Sequence, residues 1–296
     1  MFRFLRRLAQ HIYLTSREFL VNTRHGILPA ADFFLMRFFT PFGLFGKTVR
    51  HPSGGNHVVD ALNAFGQTEI TPANDEQIAA LRQYFYTNVD AGAGRVYPDL
   101  AAYFDHHRGE RNQRPPALFA TGKADCPITR FALNDELVEI ASRYMGVPKD
   151  KMHCLSFLDS LIRLEAEPNK NMGKYDFGLE FHRDVDGYRF LKMFVYLTDC
   201  FEGDGHHEYY LTTHGKTPAV VAPIVRYSNT EVEAAIPGIQ RKIIQGNAGF
   251  GFAEDTFGYH RGTKPNNHDR LILNIQFMDS AFPELFPGTF PVIARP

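Results

Sequence analysis

The chain has 296 residues, 44% of them hydrophobic and 22% charged, the balance of a globular protein with enough apolar material for a sizeable core. A formal net charge of −1 argues against a general nucleic-acid binder, which needs a basic surplus. The cysteines Cys126, Cys154 and Cys200 are far apart and form no Cys-x-x-Cys pair, which argues against a disulfide framework or a structural zinc clip and points to a reducing, cytoplasmic compartment.

Residues 1–50 stand apart by charge. They hold eight Lys/Arg against Glu18 and Asp32, about +6, which leaves about −7 for the remainder. The start lacks the apolar run and small-residue cleavage site of a secretory signal. The most apolar stretch, "ADFFLMRFFTPFGLFG", is broken by Arg37 and Pro41 and is too short to span a bilayer. Two readings of this basic, Phe-rich arm stay open: peripheral contact with an anionic membrane, or a helix packed on the domain. "HPSGGNH" at 51–57 reads as a loop dividing the arm from a single domain over 51–296.

A helical part is expected over about 70–147. "TPANDEQIAALRQYFYTNV" reads as a helix capped by Thr71 or Asn74, with Ile78, Leu81, Tyr84 and Phe85 along one stripe. "NDELVEIASRYMGVP" reads as a second, capped by Asn134 and ended by Gly146. Beyond Pro148 the pattern changes to short apolar or alternating runs at 152–165, 178–184, 189–199, 206–212, 218–227, 241–246, 248–254 and 269–278. Many short strands divided by turn residues predict a mostly β protein, a jelly-roll or cupin-like core buttressed by N-terminal helices.

Side chains alternate faces along a strand. In "GLEFHRD", Glu180, His182 and Asp184 share one face, with Phe181 and Arg183 on the other. One imidazole nitrogen and one carboxylate oxygen so placed make two adjacent metal ligands, and a second imidazole from a distant strand would complete a facial triad suited to non-haem Fe(II). Asp186 can substitute for Asp184 but lies in a turn, "DVDGY", that favours Asp for its own reasons. Among the other histidines, His206 and His207 follow a Gly-rich turn and read as loop residues. His260 is set apart by the strand "HDRLILNIQF" that follows it, in which Arg270, Ile272, Asn274 and Gln276 share a face opposite Leu271, Leu273, Ile275 and Phe277. An Arg inside a polar cavity calls for an anion, and its fork suits a carboxylate.

His182-x-Asp184, a gap of 76 (260 − 184), His260, and Arg270 ten residues on resemble the Fe(II)/2-oxoglutarate-dependent dioxygenases, in particular the phytanoyl-CoA dioxygenase-like branch, over roughly residues 115–280. The resemblance implies a double-stranded β-helix. It also implies iron bound by His182, Asp184 and His260, and Arg270 on the distal carboxylate of 2-oxoglutarate. Hydroxylation of a C–H bond with O2 would follow, with release of succinate and CO2. The chain departs from the branch at "EGDGHHEYYLTTHGKTP", and at the helper serine two residues after the second His, which is Gly262 here with Thr263 beside it.

Other inward candidates follow from alternation. Lys192 and Tyr196 contact 2-oxoglutarate or substrate, or Lys192 lies on a solvent face. Ser156 and Ser160 line the cavity or sit at a strand edge. Asn274 and Gln276 contact substrate or form a structural network. "AEPNKNMGKYDFG" has the composition of a loop that closes over substrate. The expected substrate is a small molecule, and the basic start and Lys192 lean toward an anionic or membrane-associated one. Two other classes fit the same residues: a zinc-dependent hydrolase or isomerase on this scaffold, and a non-catalytic binding protein.

Overall fold

A computed structural model describes residues 55–87, 89–90, 96–109, 115–120, 124–163, 179–184, 186, 189–215, 226–279 and 288–293. The basic arm 1–50, the loop 164–178 and most of the expected strand 218–227 lie outside the described residues.

Helix α1 (His57–Phe65) begins inside the stretch read as a loop, because Asn56 Oδ1 accepts from the backbone N–H groups of Val58 and Val59 at 3.0 and 3.2 Å. It ends at Gly66, whose φ of 81° only glycine adopts readily. Strand β1 (Gln67–Ile70) follows at once. Helix α2 (Asp75–Thr87) is capped by Asn74, not Thr71: Asn74 Oδ1 accepts from Gln77 N at 2.9 Å while Gln77 Oε1 accepts from Asn74 N at 3.0 Å. The ribbon β2 (Val89–Asp90) and β3 (Val96–Tyr97) leads to α3 (Leu100–Gly109), then β4 (Leu118–Phe119), α4 (Pro127–Ala132) and α5 (Asp135–Met145). Asn134 caps α5 and Gly146 ends it, as its sequence predicts.

The β half comprises β5 (His153–Leu161), β6 (Phe190–Tyr196), β7 (His207–Tyr210), β8 (Arg241–Ile244), β9 (Gly251–Glu254), β10 (His260–Gly262), β11 (Arg270–Met278) and β12 (Phe290–Pro291), with the short helix α6 (Asn229–Ala235) between β7 and β8. The larger antiparallel sheet runs β1-β9-β6-β11-β5-β12, with β4 on β5; the smaller runs β10-β7-β8. This is a double-stranded β-helix. One expectation is corrected at its edge: β1, which precedes the expected helical part and lies far from the strands expected beyond Pro148, joins the larger sheet beside β9.

The two faces of the larger sheet have different partners. Leu271, Leu273, Ile275 and Phe277 join Leu191, Met193 and Val195 in the large core under the helices. The other faces of β6 and β11 look into the barrel, where Phe194, Tyr196, Phe252 and Ile272 pack with Tyr209 and Ile244 of the smaller sheet. The segment with His182 makes no ladder among the described residues. It is held by single antiparallel bridges, Phe181 to Tyr227 and His182 to His260.

Candidate metal and cosubstrate site

The bridge between His182 and His260 brings together two segments 78 positions apart (260 − 182), with reciprocal backbone hydrogen bonds of 3.0 and 3.1 Å. The rings lie with centroids 4.3 Å apart. Each Nδ1 is tied to a backbone carbonyl two residues back, His182 to Glu180 O at 2.9 Å and His260 to Gly258 O at 3.0 Å. With the proton held on Nδ1, each Nε2 presents a lone pair, the arrangement a metal-ligating histidine needs. Both Nε2 atoms face Asp184, at 3.7 Å from Oδ1 for His182 and 3.3 Å from Oδ2 for His260. The ligand atoms of His182, Asp184 and His260 all lie within 4.8 Å of one another, and no other such cluster occurs among the described residues.

Electrostatics tie the three together. Burial opposes ionisation of Asp184, but the Lys192 ammonium and the His260 ring outweigh it and hold the carboxyl well below the usual carboxylate range. Burial likewise disfavours a charged His260, and the neighbouring Asp184 carboxylate reverses the balance and raises it. His182 goes the other way: burial, then His260 and Arg226, push it well below the ordinary histidine value. A bound divalent cation would displace these protons and take their place as the counter-charge.

The cluster opens on a cavity of about 180 Å³. Arg270 and Asn274 line it, as does Lys192, which is 7% exposed and so inside the barrel rather than on a solvent face. Lys192 Nζ lies 2.6 Å from Asp184 Oδ2 and 2.8 Å from Asp186 Oδ2, so Asp186 serves as an ion-pair partner. Arg270 is 4% exposed; its Nη1 donates to Gly205 O at 2.8 Å, while its Nε has no partner in the protein. A buried guanidinium left partly unsatisfied beside a cavity fits an anion.

Several expected residues stand elsewhere. Tyr196 does not line the cavity; its hydroxyl donates to Ile244 O at 2.9 Å and accepts from His207 N at 3.0 Å, which ties the two sheets together. Thr263 donates its hydroxyl to His206 O at 3.1 Å, and Gly262 holds the lining position. Gln276 is buried deeper in the barrel, outside the lining. Ser156 and Ser160 are cross-strand partners of Ile275 and Leu271, on the helix-packed face. The alternate residues Phe157, Asp159 and Leu161 line the cavity instead.

Sequence reasoning also missed His207 and Arg226. His207 is not in a loop: it opens β7, is 6% exposed and lines the cavity. The alternation in "HHEYY" was the available signal, with His207 and Tyr209 on one face. His206 and Glu208 take the other, where the His206 ring at 3.4 Å, Arg261 at 2.8 Å and Arg241 at 3.3 Å hold the Glu208 carboxyl down to about 2 against its burial. Behind His207, fully buried Glu254 lies 3.3 Å away, and burial pushes its carboxyl up to about 8.

Neither a family model nor a curated protein sequence matches the chain. Solved structures do. EctD from S. alaskensis with 2-oxoglutarate and 5-hydroxyectoine superposes with a TM-score of 0.57 at 15% identity, over 78% of this chain and 80% of that one. The apo form of EctD gives 0.52 at 14%, over 77% and 80%. The non-heme alpha-ketoglutarate-dependent carbocyclase SnoK from nogalamycin biosynthesis gives 0.49 at 15%, over 76% and 84%. At these identities the likeness to EctD is one of fold, and it agrees with the double-stranded β-helix read from the sheet order.

Proposed function

We propose that the protein is an Fe(II)- and 2-oxoglutarate-dependent oxygenase that hydroxylates a C–H bond of a small molecule, releasing succinate and CO2. The observation that carries this reading is the pairing, in one cavity, of a buried His182–Asp184–His260 cluster with a buried Arg270 whose Nε has no protein partner. The donor set fits iron: two neutral imidazoles and one carboxylate on one side leave the opposite positions open. A zinc hydrolase would use the same three ligands but would leave Arg270 without an anion.

Bound iron would supply the activation of O2 and the electron transfer that the protein's own groups cannot perform. The residues of the chain do the rest. His182 and His260 present Nε2 because Glu180 and Gly258 hold their Nδ1 protons. Arg270 orients the cosubstrate through its distal carboxylate. Phe157, Leu161 and Phe194 form apolar wall around the cavity and limit water at the reacting centre. Asp184 fills the third ligand position with a protein carboxylate, which favours hydroxylation over halide transfer.

A small anionic substrate is part of this reading. Half-buried Arg226, which lines the cavity close enough to His182 to depress its basicity, adds positive charge that supports it. Lys192 is engaged by Asp184 and Asp186 and adds nothing to it. The basic arm 1–50 supports peripheral contact with an anionic membrane, and deletion of the arm without loss of vesicle binding would remove that part. No helix of the described residues is long and apolar enough to cross a membrane.

The test is an anaerobic titration of metal-free protein with Fe(II), then 2-oxoglutarate, followed by the visible charge-transfer band of the chelate. The band is expected in the wild type and absent in His260→Ala. Tight zinc binding with no band would overturn the reading.

A further inference from the structure

Beside Arg270 a second buried polar side chain faces the cavity and has no assigned role. His207 lies across the ladder from Gly262, two residues past His260. Gly262 has no side chain, so on this rung of the sheet His207 alone projects into the barrel. Its ring stacks on that of His260 at 5.7 Å and 10° and packs on Phe194 at 5.0 Å, contacts that fix the ring plane. Neither ring nitrogen makes a hydrogen bond; the nearest polar group, Glu254 Oε2, approaches Nε2 to 3.3 Å. A buried imidazole ordinarily satisfies at least one nitrogen, and one left over beside a cavity calls for a ligand.

Arg270 is anchored within two residues of it. Its Nη1 donates to Gly205 O at 2.8 Å, at the entrance to β7, and its Nε is also left over. The hydroxyl of Thr263, on the same stretch, is already spent on His206 O. Two buried donors from different strands therefore flank one end of the cavity.

We propose that His207 is a second carboxylate-binding residue, which acts with Arg270 to hold the distal carboxylate of the 2-oxo acid. The inference rests on the oxygenase reading above. A neutral imidazole carries one N–H, from which a carboxylate oxygen in the cavity can accept a hydrogen bond. A carboxylate shared between guanidinium and imidazole is fixed in orientation as well as position.

The experiment compares two 2-oxo acids on the anaerobic Fe(II) protein: 2-oxoglutarate, and pyruvate, which lacks the distal carboxylate. Both are titrated by the charge-transfer band in wild type, His207→Leu and His207→Gln. His207→Leu is expected to weaken 2-oxoglutarate about ten-fold and leave pyruvate unchanged, and His207→Gln, which keeps a donor, to recover most of the loss. Unchanged 2-oxoglutarate affinity in His207→Leu overturns the proposal, and so does an equal loss for both acids, which marks a packing role. If His207→Leu does not fold, His207→Ala takes its place in the same comparison. A wild type that binds Fe(II) but gives no band with 2-oxoglutarate defeats the oxygenase reading itself. A wild-type band that persists unaltered in His207→Leu defeats only the role of His207.

Discussion

Lys192 holds Asp184 from behind: its Nζ lies 2.6 Å from Asp184 Oδ2, while His182 Nε2 faces the other oxygen, Oδ1, at 3.7 Å. The carboxylate that would bind metal is thus fixed by an ammonium at Oδ2, the oxygen that His260 Nε2 also faces at 3.3 Å, with Oδ1 turned toward His182. Both partners are largely buried, with side-chain exposures of 9% and 20%, so the pair is poorly screened.

Lys192→Met is expected to leave Asp184 and Asp186 facing each other uncompensated. Removing one partner of a buried pair costs about 3 kcal/mol in such settings, so the metal-free variant should unfold at lower denaturant. Divalent metal then supplies the missing charge. The rise in Tm on adding Mn(II) is expected to be larger in Lys192→Met than in wild type, and an equal rise would show that Lys192 does not compensate Asp184.

Arg270→Ala is expected to weaken 2-oxoglutarate by about 100-fold while Fe(II) affinity is kept, since the lost contact is charge-assisted and remote from the ligand atoms. Arg270→Lys should recover little. The guanidinium spends one arm on Gly205 O and needs another for the ligand, and a single ammonium cannot reproduce that fork. Isothermal titration of the anaerobic metal complex reads both numbers.

Glu254 gives a pH signature. Its folded carboxyl is pushed up to about 8 by burial from an ordinary 4.5, so between these values the folded state holds a proton that the unfolded state has lost. Stability therefore falls as pH rises from about 4.5 to about 8, by a few kcal/mol at most on the order of 1.4 per pH unit. In metal-free Glu254→Gln this contribution is removed. Urea unfolding at pH 5 and pH 8 should show a smaller difference in the variant than in wild type, and equal differences would refute the assignment.

Gly258 is a steric keystone. A Cβ there would lie 1.9 Å from the Tyr209 hydroxyl, which itself donates to Asp255 O at 2.8 Å. The carbonyl of Gly258 also orients His260 through Nδ1. Gly258→Ala is expected to destabilise the fold by about 1–3 kcal/mol and to lower metal affinity about ten-fold or more. Tyr209→Phe in the same background removes the clashing oxygen and should return part of both, which thermal melts with and without Mn(II) would read.

Local features of the chain were legible in advance. Asn134 and Gly146 bound a helix because capping and left-handed termination are properties of a few adjacent residues. The alternation in "RLILNIQF" separates Arg270 and Asn274 from Leu271 and Leu273 because a strand has only two faces, and one of these was wholly apolar. His182 and Asp184 share a face for the same reason.

What the chain could not reveal by itself was which face of an ambiguous strand looks inward. In β5 both faces mix apolar and polar side chains, Ser156, Leu158 and Ser160 against Phe157, Asp159 and Leu161, so periodicity was silent. Pairing with β11 decided it, placing Ser160 beside Leu271 under the helices and Asp159 in the cavity. His207 was hidden in the same way: a histidine next to a glycine turn has loop chemistry until β10 pairs with it and buries it opposite Gly262. Short-range sequence determines periodicity, caps and the stock of ligands. The packing of one sheet on another determines which of those side chains lose their water, and so which of them meet in the cavity.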